Sequence, residues 1–124
     1  MDQKDLFEHR VISAEDGKIL ASARFNREHL VYRGHFPGAP VTPGVCQLRL
    51  VRAVLSEALG KRLMLGSARE IKFLSMHNPF DGQELIVDIR YRHIGESLEV
   101  SATLADGERK VLKLNGEFCA GYAN

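Results

Sequence analysis

Residues 34–46 read Gly-His-Phe-Pro-Gly-Ala-Pro-Val-Thr-Pro-Gly-Val-Cys, and here the chain concentrates its chemistry. Three prolines and three glycines in so short a stretch dictate a rigid, sharply turned backbone with points where a ligand can approach closely. His35 sits inside that frame, and an imidazole can take and return a proton near neutrality. Pro43-Gly44 then opens a helical pattern. The first N–H groups of a helix lack internal partners and carry the positive end of its dipole, so they suit a developing oxyanion. A proton acceptor beside oxyanion donors is what abstraction α to a thioester carbonyl requires. The same residues also fit a plain turn, in which His35 hydrogen-bonds its own loop and the prolines only shape the backbone.

The flanking elements must hold that segment in place. From Val45 to about Leu59 the apolar period is helical, and Val45, Leu48, Leu50, Val51, Val54, Leu55, Ala58 and Leu59 cover most of the wheel. Arg49, Arg52 and Ser56 share the one polar stripe. A helix so broadly apolar is expected to be buried on most sides. Gly60 is its natural stop, with Lys61 and Arg62 suited to the negative end of the dipole. Upstream, residues 6–13 and 18–25 read as strands around the turn Glu15-Asp16-Gly17-Lys18, with Ile19, Ala21, Ala23 and Phe25 on one face. Asn26 to Pro43 is irregular. Downstream, Ile71 and Phe73 suggest a strand ahead of Asn78-Pro79. Leu85, Val87, Ile89 and Tyr91 alternate along the next, Leu98, Val100, Ala102 and Leu104 along another, and Leu112, Leu114, Phe118 and Ala120 along the last. The turns at 93–96 and 105–108 make these hairpins. The pattern is α+β: an antiparallel sheet of about five to six strands wrapped around one long central helix.

Composition bounds the function classes. A chain of 124 residues is one domain's worth, so residues 1–124 are expected to form a single domain. Hydrophobic and charged fractions of 44% and 27% exclude disordered and collagen-like classes. No apolar run approaches the roughly 20 residues that span a bilayer. The polar, acidic start MDQKDLFEHR resembles neither a secretory signal nor a transit peptide. Cys46 and Cys119 are too few for a disulfide framework or zinc cluster, so a cytoplasmic protein without metal or cofactor is expected. A net charge of +1 gives no case for nucleic acid. That balance hides an asymmetry: seven basic and two acidic residues from Arg24 to Arg62, but nine acidic and six basic from Glu70 onward.

Gly34-His35-Phe36-Pro37-Gly38, Pro40 and Pro43-Gly44-Val45 together resemble the signature of the 3-hydroxyacyl-ACP dehydratases of the FabZ/FabA hot-dog group. The resemblance extends upstream through Asn26-Arg27-Glu28-His29-Leu30-Val31-Tyr32-Arg33 and downstream to Lys72-Phe73 and Asn78-Pro79, roughly residues 18–90. The short length and the Pro-Gly-Val-Cys-Gln variant look closest to dehydratase-like proteins of aryl-polyene-type gene clusters. The resemblance implies a hot-dog fold and a homodimer, a higher oligomer of dimers or a heterodimer, with active sites at the interface. It implies an acyl-pantetheine substrate carried on acyl-carrier protein in fatty-acid or polyene-type biosynthesis. His35 would exchange the α-proton, and the Gly44 N–H would polarise the thioester carbonyl. Gly38 would let the acyl-pantetheine chain pass, with Phe36, Val45 and Arg49 also facing substrate. Carrier proteins of this pathway are acidic, so the basic segment would steer them.

The sequence departs from the family at one telling position. There, an acidic residue shortly after Pro-Gly-Val, contributed by the partner subunit, assists departure of the β-hydroxyl. Counting along Pro43-Gly44-Val45-Cys46-Gln47-Leu48, that position holds Arg49. Arginine stays protonated and has no acceptor, so it can neither activate water nor serve as an ordinary general acid. No Asp or Glu occurs between Glu28 and Glu57. His35 would then serve both proton steps with Arg49 acting electrostatically, or Tyr32, Gln47 or His77 would donate instead. A third possibility is a catalytically degenerate acyl-binding subunit or heterodimer partner. Arg49 also fits the helix's wet stripe, and Gln47 and His77 fit structural roles. Cys46 reads as a small core residue, although a helix start can activate a thiol. A hot-dog acyl thioesterase is the third function class; such enzymes use a helix carboxylate that this helix lacks in its first turns.

Overall fold

The computed structural model describes residues 6–33, 40–81 and 84–121. Alternation at period two builds most of it: β1 (Phe7–Glu15), β2 (Lys18–Phe25), β4 (Leu85–Ile94), β5 (Ser97–Asp106) and β6 (Arg109–Ala120). The expected hairpin turns close with Gly17, Gly95 and Gly107 at φ 83°, 60° and 60°, a region that a side chain would disfavour. Helix α1 (Gly44–Leu59) follows the long connection after β2, and β3 (Leu63–Phe73) follows the helix. The six strands form one antiparallel sheet in the order β1-β2-β4-β5-β6-β3.

One row of that sheet explains the core. Val11, Ala21, Val87, Leu104, Leu112 and Phe73 stand opposite one another across successive strands. Ala21, Val87, Leu104 and Leu112 are fully buried, whereas Phe73 at the β3 edge is 51% exposed. The sheet curls around helix α1, which packs against both edge strands, β1 and β3, and whose Leu50, Val51, Val54 and Leu55 are all sealed from solvent. Each such side chain contributes on the order of 1.5–3 kcal/mol of burial. The rest of the apolar circumference is not enclosed. Val45 is exposed and Leu48 half-buried, on the same side as Arg49 and Arg52.

Strand β3 is far longer than Ile71 and Phe73 alone suggested, and the reason is local. Its pairing with β6 slips between Leu65 and Ser67 and again between Ala68 and Glu70. Each slip turns the following side chains to the other face, so no period-two signal survives along residues 63–70. Gly116 of β6 accommodates the first irregularity: a Cβ there would lie 2.6 Å from the Ser67 carbonyl oxygen. Two residues of the alternating apolar faces fall outside the core. Phe73 lies on an edge strand, and Ala120, the last residue of β6, is exposed.

Candidate active site

Of the residues singled out in the sequence, His35, Phe36 and Gly38 lie outside the described residues. Gly44, Val45 and Arg49 occupy the first two turns of α1. The residue ahead of the helix is Pro43, at φ −60° and ψ 145°, and it offers no side-chain cap. The first turn holds no acidic residue either. Its leading N–H groups therefore have no side-chain acceptor from the usual local devices, which leaves them suited to an external oxyanion. The Phe73 ring lies against Gly44: a Cβ at that position would come within 2.4 Å of the ring's Cζ. Phe73 thus borders the helix start instead of filling the core.

Beside this helix start lies a buried polar chain. Tyr32 Oη and Thr42 Oγ1 are 2.7 Å apart, and Thr42 Oγ1 and His77 Nδ1 are also 2.7 Å apart. The Thr42 amide donates to the His77 carbonyl oxygen at 2.8 Å. Gln47 Nε2 donates to the Thr42 carbonyl oxygen at 3.2 Å. Thr42, Gln47 and His77 are each less than 5% exposed. Burial pushes the Tyr32 phenol up to about 12, so it stays protonated, and burial pushes the His77 imidazole below its ordinary value. The Phe25 ring stands 5.7 Å from that of His77, so an aromatic wall shields the imidazole. Gln47 Oε1 is buried with no hydrogen-bond partner among the described residues. The bond to Thr42 fixes which end of the amide faces the backbone.

The structural role that the sequence allowed for Gln47 takes the form of a bond from its nitrogen to the Thr42 backbone. His77 likewise is held structurally, buried and hydrogen-bonded. Thr42 escaped attention in the sequence. Its partners lie ten and thirty-five positions away, a spacing with no periodic signature.

Arg49 and Arg52 are half-buried and neither forms a salt bridge among the described residues. Together with Val45, Leu48, Met64 and Leu65 they line a groove of about 230 Å³ between α1 and β3. Arg49 is therefore neither freely solvated nor neutralised. It places a fixed positive charge against an apolar wall, where a charge acts more strongly than in water. Ser56, the third member of the polar stripe, instead accepts from the Leu63 amide at 3.1 Å. Elsewhere in the basic segment, Arg24 reaches Glu84 at 3.7 Å and Arg27 lies 5.3 Å from the Phe80 ring centre.

The other described histidines, and Cys46, take structural places. His9 pairs with Glu57, Nε2 to Oε2, at 2.5 Å. His29 Nδ1 accepts from the Val31 amide at 2.9 Å, and the His93 ring meets Tyr91 edge-on. Burial pushes the Cys46 thiol above its ordinary value, partly opposed by Arg49, which is the opposite of an activated thiolate. Among the described residues no group of His, Cys, Asp and Glu is arranged to hold a metal ion. None of the described helices is long and apolar enough to cross a membrane.

Comparison with known proteins bears on the same segment. The ApeI-like family model, described as ApeI dehydratase, matches residues 11–112. The 3-hydroxyacyl-[acyl-carrier-protein] dehydratase FabZ of Pediococcus pentosaceus is 31% identical over 126 residues, covering 94% of this chain and 83% of its own length. FabZ of Latilactobacillus sakei is 29% identical over 81% of this chain and 77% of its own length. Among solved structures, the dehydratase heterocomplex ApeI:P from Xenorhabdus doucetiae superimposes with a TM-score of 0.69 at 20% identity. That match covers 90% of this chain and 98% of the other, and shows the shared hot-dog fold. The chain belongs to the ApeI-like dehydratases, a family related to FabZ.

Proposed function

We propose that this ApeI-like dehydratase family member removes water from a 3-hydroxyacyl thioester carried on acyl-carrier protein. His35 takes the proton from C2, and the Gly44 N–H draws the carbonyl oxygen's developing charge. The C2–C3 double bond forms as the C3–O bond breaks, and His35 returns the proton it took from C2 to the departing oxygen, which leaves as water. The product is the trans-2-enoyl thioester. The observation that carries this reading is the start of α1. It begins at Gly44 behind a proline that supplies no cap, and it follows the Gly-His-Phe-Pro-Gly segment within a few residues. The α1–β3 groove, apolar apart from Arg49 and Arg52, suits an acyl chain. The exposed edge of β3 suits pairing with a second subunit, in a homodimer or with a related partner. Reaction on carrier-bound acyl groups fits a cytoplasmic setting.

Arg49 supports a second reading. A guanidinium cannot protonate the leaving hydroxide as the family's carboxyl does, and general-acid assistance is worth about 10²–10⁴-fold. On that reading the chain binds acyl groups, or completes a heterodimer whose other subunit carries the acid. Thioester hydrolysis ranks last, because the first turn of α1 holds no carboxylate to direct water.

The test supplies 3-hydroxyacyl-ACP to the wild type and to His35→Ala, alone and with a co-expressed hot-dog neighbour, and follows enoyl formation. Turnover by the wild type, lost by about 10²–10⁴-fold in His35→Ala, is expected. Absence of turnover in every combination sinks the lyase reading, and free carrier thiol in place of enoyl product favours hydrolysis. Arg49→Glu restores the family's acid and is expected to raise dehydration; no effect removes Arg49 from the site.

A further inference from the structure

We propose that Thr42 is a positioning residue: clamped between Tyr32 and His77, it fixes the start of α1 and thereby aims the Gly44 amide. Its consequence for turnover rests on the dehydratase reading above; the clamp itself does not. Every polar atom of Thr42 is engaged. Its hydroxyl lies 2.7 Å from both Tyr32 and His77, its amide donates to His77 and its carbonyl accepts from Gln47. The next residue is Pro43, whose ring locks φ. Little freedom is left between the clamped Thr42 carbonyl and the Gly44 N–H. A side-chain cap would ordinarily orient such a helix start, and none is present. The clamp does that work from a distance.

Proton counting gives the chain a direction. The threonine hydroxyl has one proton, the phenol one, and a neutral imidazole one. If Tyr32 donates to Thr42 and Thr42 donates to His77 Nδ1, every hydroxyl proton is used and the imidazole proton sits on Nε2. In the reverse order the Tyr32 hydroxyl proton loses its partner in a buried site, which is the costlier arrangement. Protonating His77 forces that reverse order, because Nδ1 then donates. The charged groups acting on His77 are Asp81 and Asp106, which favour the imidazolium, and Arg109, which opposes it. Burial outweighs them, so the ring remains a neutral acceptor.

Two kinds of readout test the proposal. Thr42→Val keeps the shape and removes the hydroxyl; Thr42→Ser keeps the hydroxyl. Tyr32→Phe removes one donor without opening a void and serves if Thr42→Val fails to fold. Amide exchange at Cys46 and Gln47, which both donate to the Pro43 carbonyl oxygen, should quicken by about tenfold or more in Thr42→Val, with Leu50 to Leu55 unchanged and Thr42→Ser near wild type. Nitrogen NMR of the wild type should show His77 with its proton on Nε2, lost as a single tautomer in Thr42→Val. On 3-hydroxyacyl-ACP, kcat should fall by about tenfold or more with KM within about threefold, and Thr42→Ser should recover most of it. Unchanged exchange and tautomer in Thr42→Val would overturn the clamp. Faster exchange with unchanged kcat would overturn the positioning role. A wild type without any turnover would instead sink the dehydratase reading, and the exchange and tautomer data would still decide the clamp.

Discussion

The two ends of α1 solve the same problem in different ways. At the C-terminal end, Gly60 takes φ 66° and its amide reaches Glu57, while the Lys61 amide reaches Ser56 at 3.1 Å. The Ser56 hydroxyl then accepts from Leu63, seven residues on. All of these partners are neighbours in sequence. At the N-terminal end nothing local caps the helix, and the partners that hold it come from ten and thirty-five residues away. An end that only stops a helix can be built from adjacent residues. On the proposed function the N-terminal end presents its amides to a ligand and cannot use a local cap, since a cap would occupy the donors that the chemistry needs. Support has to come from behind, and here it comes from Tyr32, Thr42, Gln47 and His77.

Perturbing each end should separate the two designs. Gly44→Ala is expected to have the largest effect on activity. Its Cβ would displace the Phe73 ring and crowd the amide, lowering kcat by about a hundredfold. Stability by urea titration should change by only about 1 kcal/mol, because the obstacle is a half-exposed side chain and not backbone. Gln47→Leu withdraws the donor from the Thr42 carbonyl. It should cost about 1–3 kcal/mol in the same titration and also slow turnover, because the start of the helix loosens. Gly60→Ala should cost about 1 kcal/mol and leave turnover as it was. Nothing lies within 4 Å of the added methyl, so the positive φ is its only penalty. Equal losses of turnover from Gly44→Ala and Gly60→Ala would erase the distinction between the ends.

The gentlest perturbation is pH. Folded His77 binds its proton less readily than the ordinary imidazole value of 6.5, so the unfolded chain binds more protons as pH falls below that value. The contribution of His77 to stability is therefore complete above about pH 6.5 and declines as pH drops toward the folded value. Urea midpoints for wild type and His77→Asn between pH 5 and 8 check this. The wild type should lose more stability on acidification, and parallel curves would mean that His77 is not a buried neutral acceptor.

The sequence made most of this architecture legible, and the exceptions are instructive. The helix, its Gly60 stop and five strands follow from local periodicity and turn chemistry. Strand β3 was legible only at its Ile71–Phe73 end, because two register slips scramble the alternation across residues 63–70. The exposure of Phe73 is hidden for a related reason: its alternation with Ile71 marks a face but not whether that face is covered. In the site, Gly44 and Arg49 stood out through motif and count. Thr42 did not, since nothing in Val41-Thr42-Pro43 distinguishes a hydroxyl with two tertiary partners from one facing water.

By itself, then, the sequence determined which elements exist, where most of them stop and which segment concentrates the residue types suited to proton transfer. These rest on interactions between residues a few positions apart. Only the tertiary structure decided that Tyr32, Thr42 and His77 form one buried chain, and that Arg49 and Arg52 face an apolar groove without a carboxylate partner among the described residues. Both depend on pairing and packing between segments that are distant along the chain. The energy of such contacts is set by burial, and burial is a property of the assembled sheet and helix, not of any short stretch of residues.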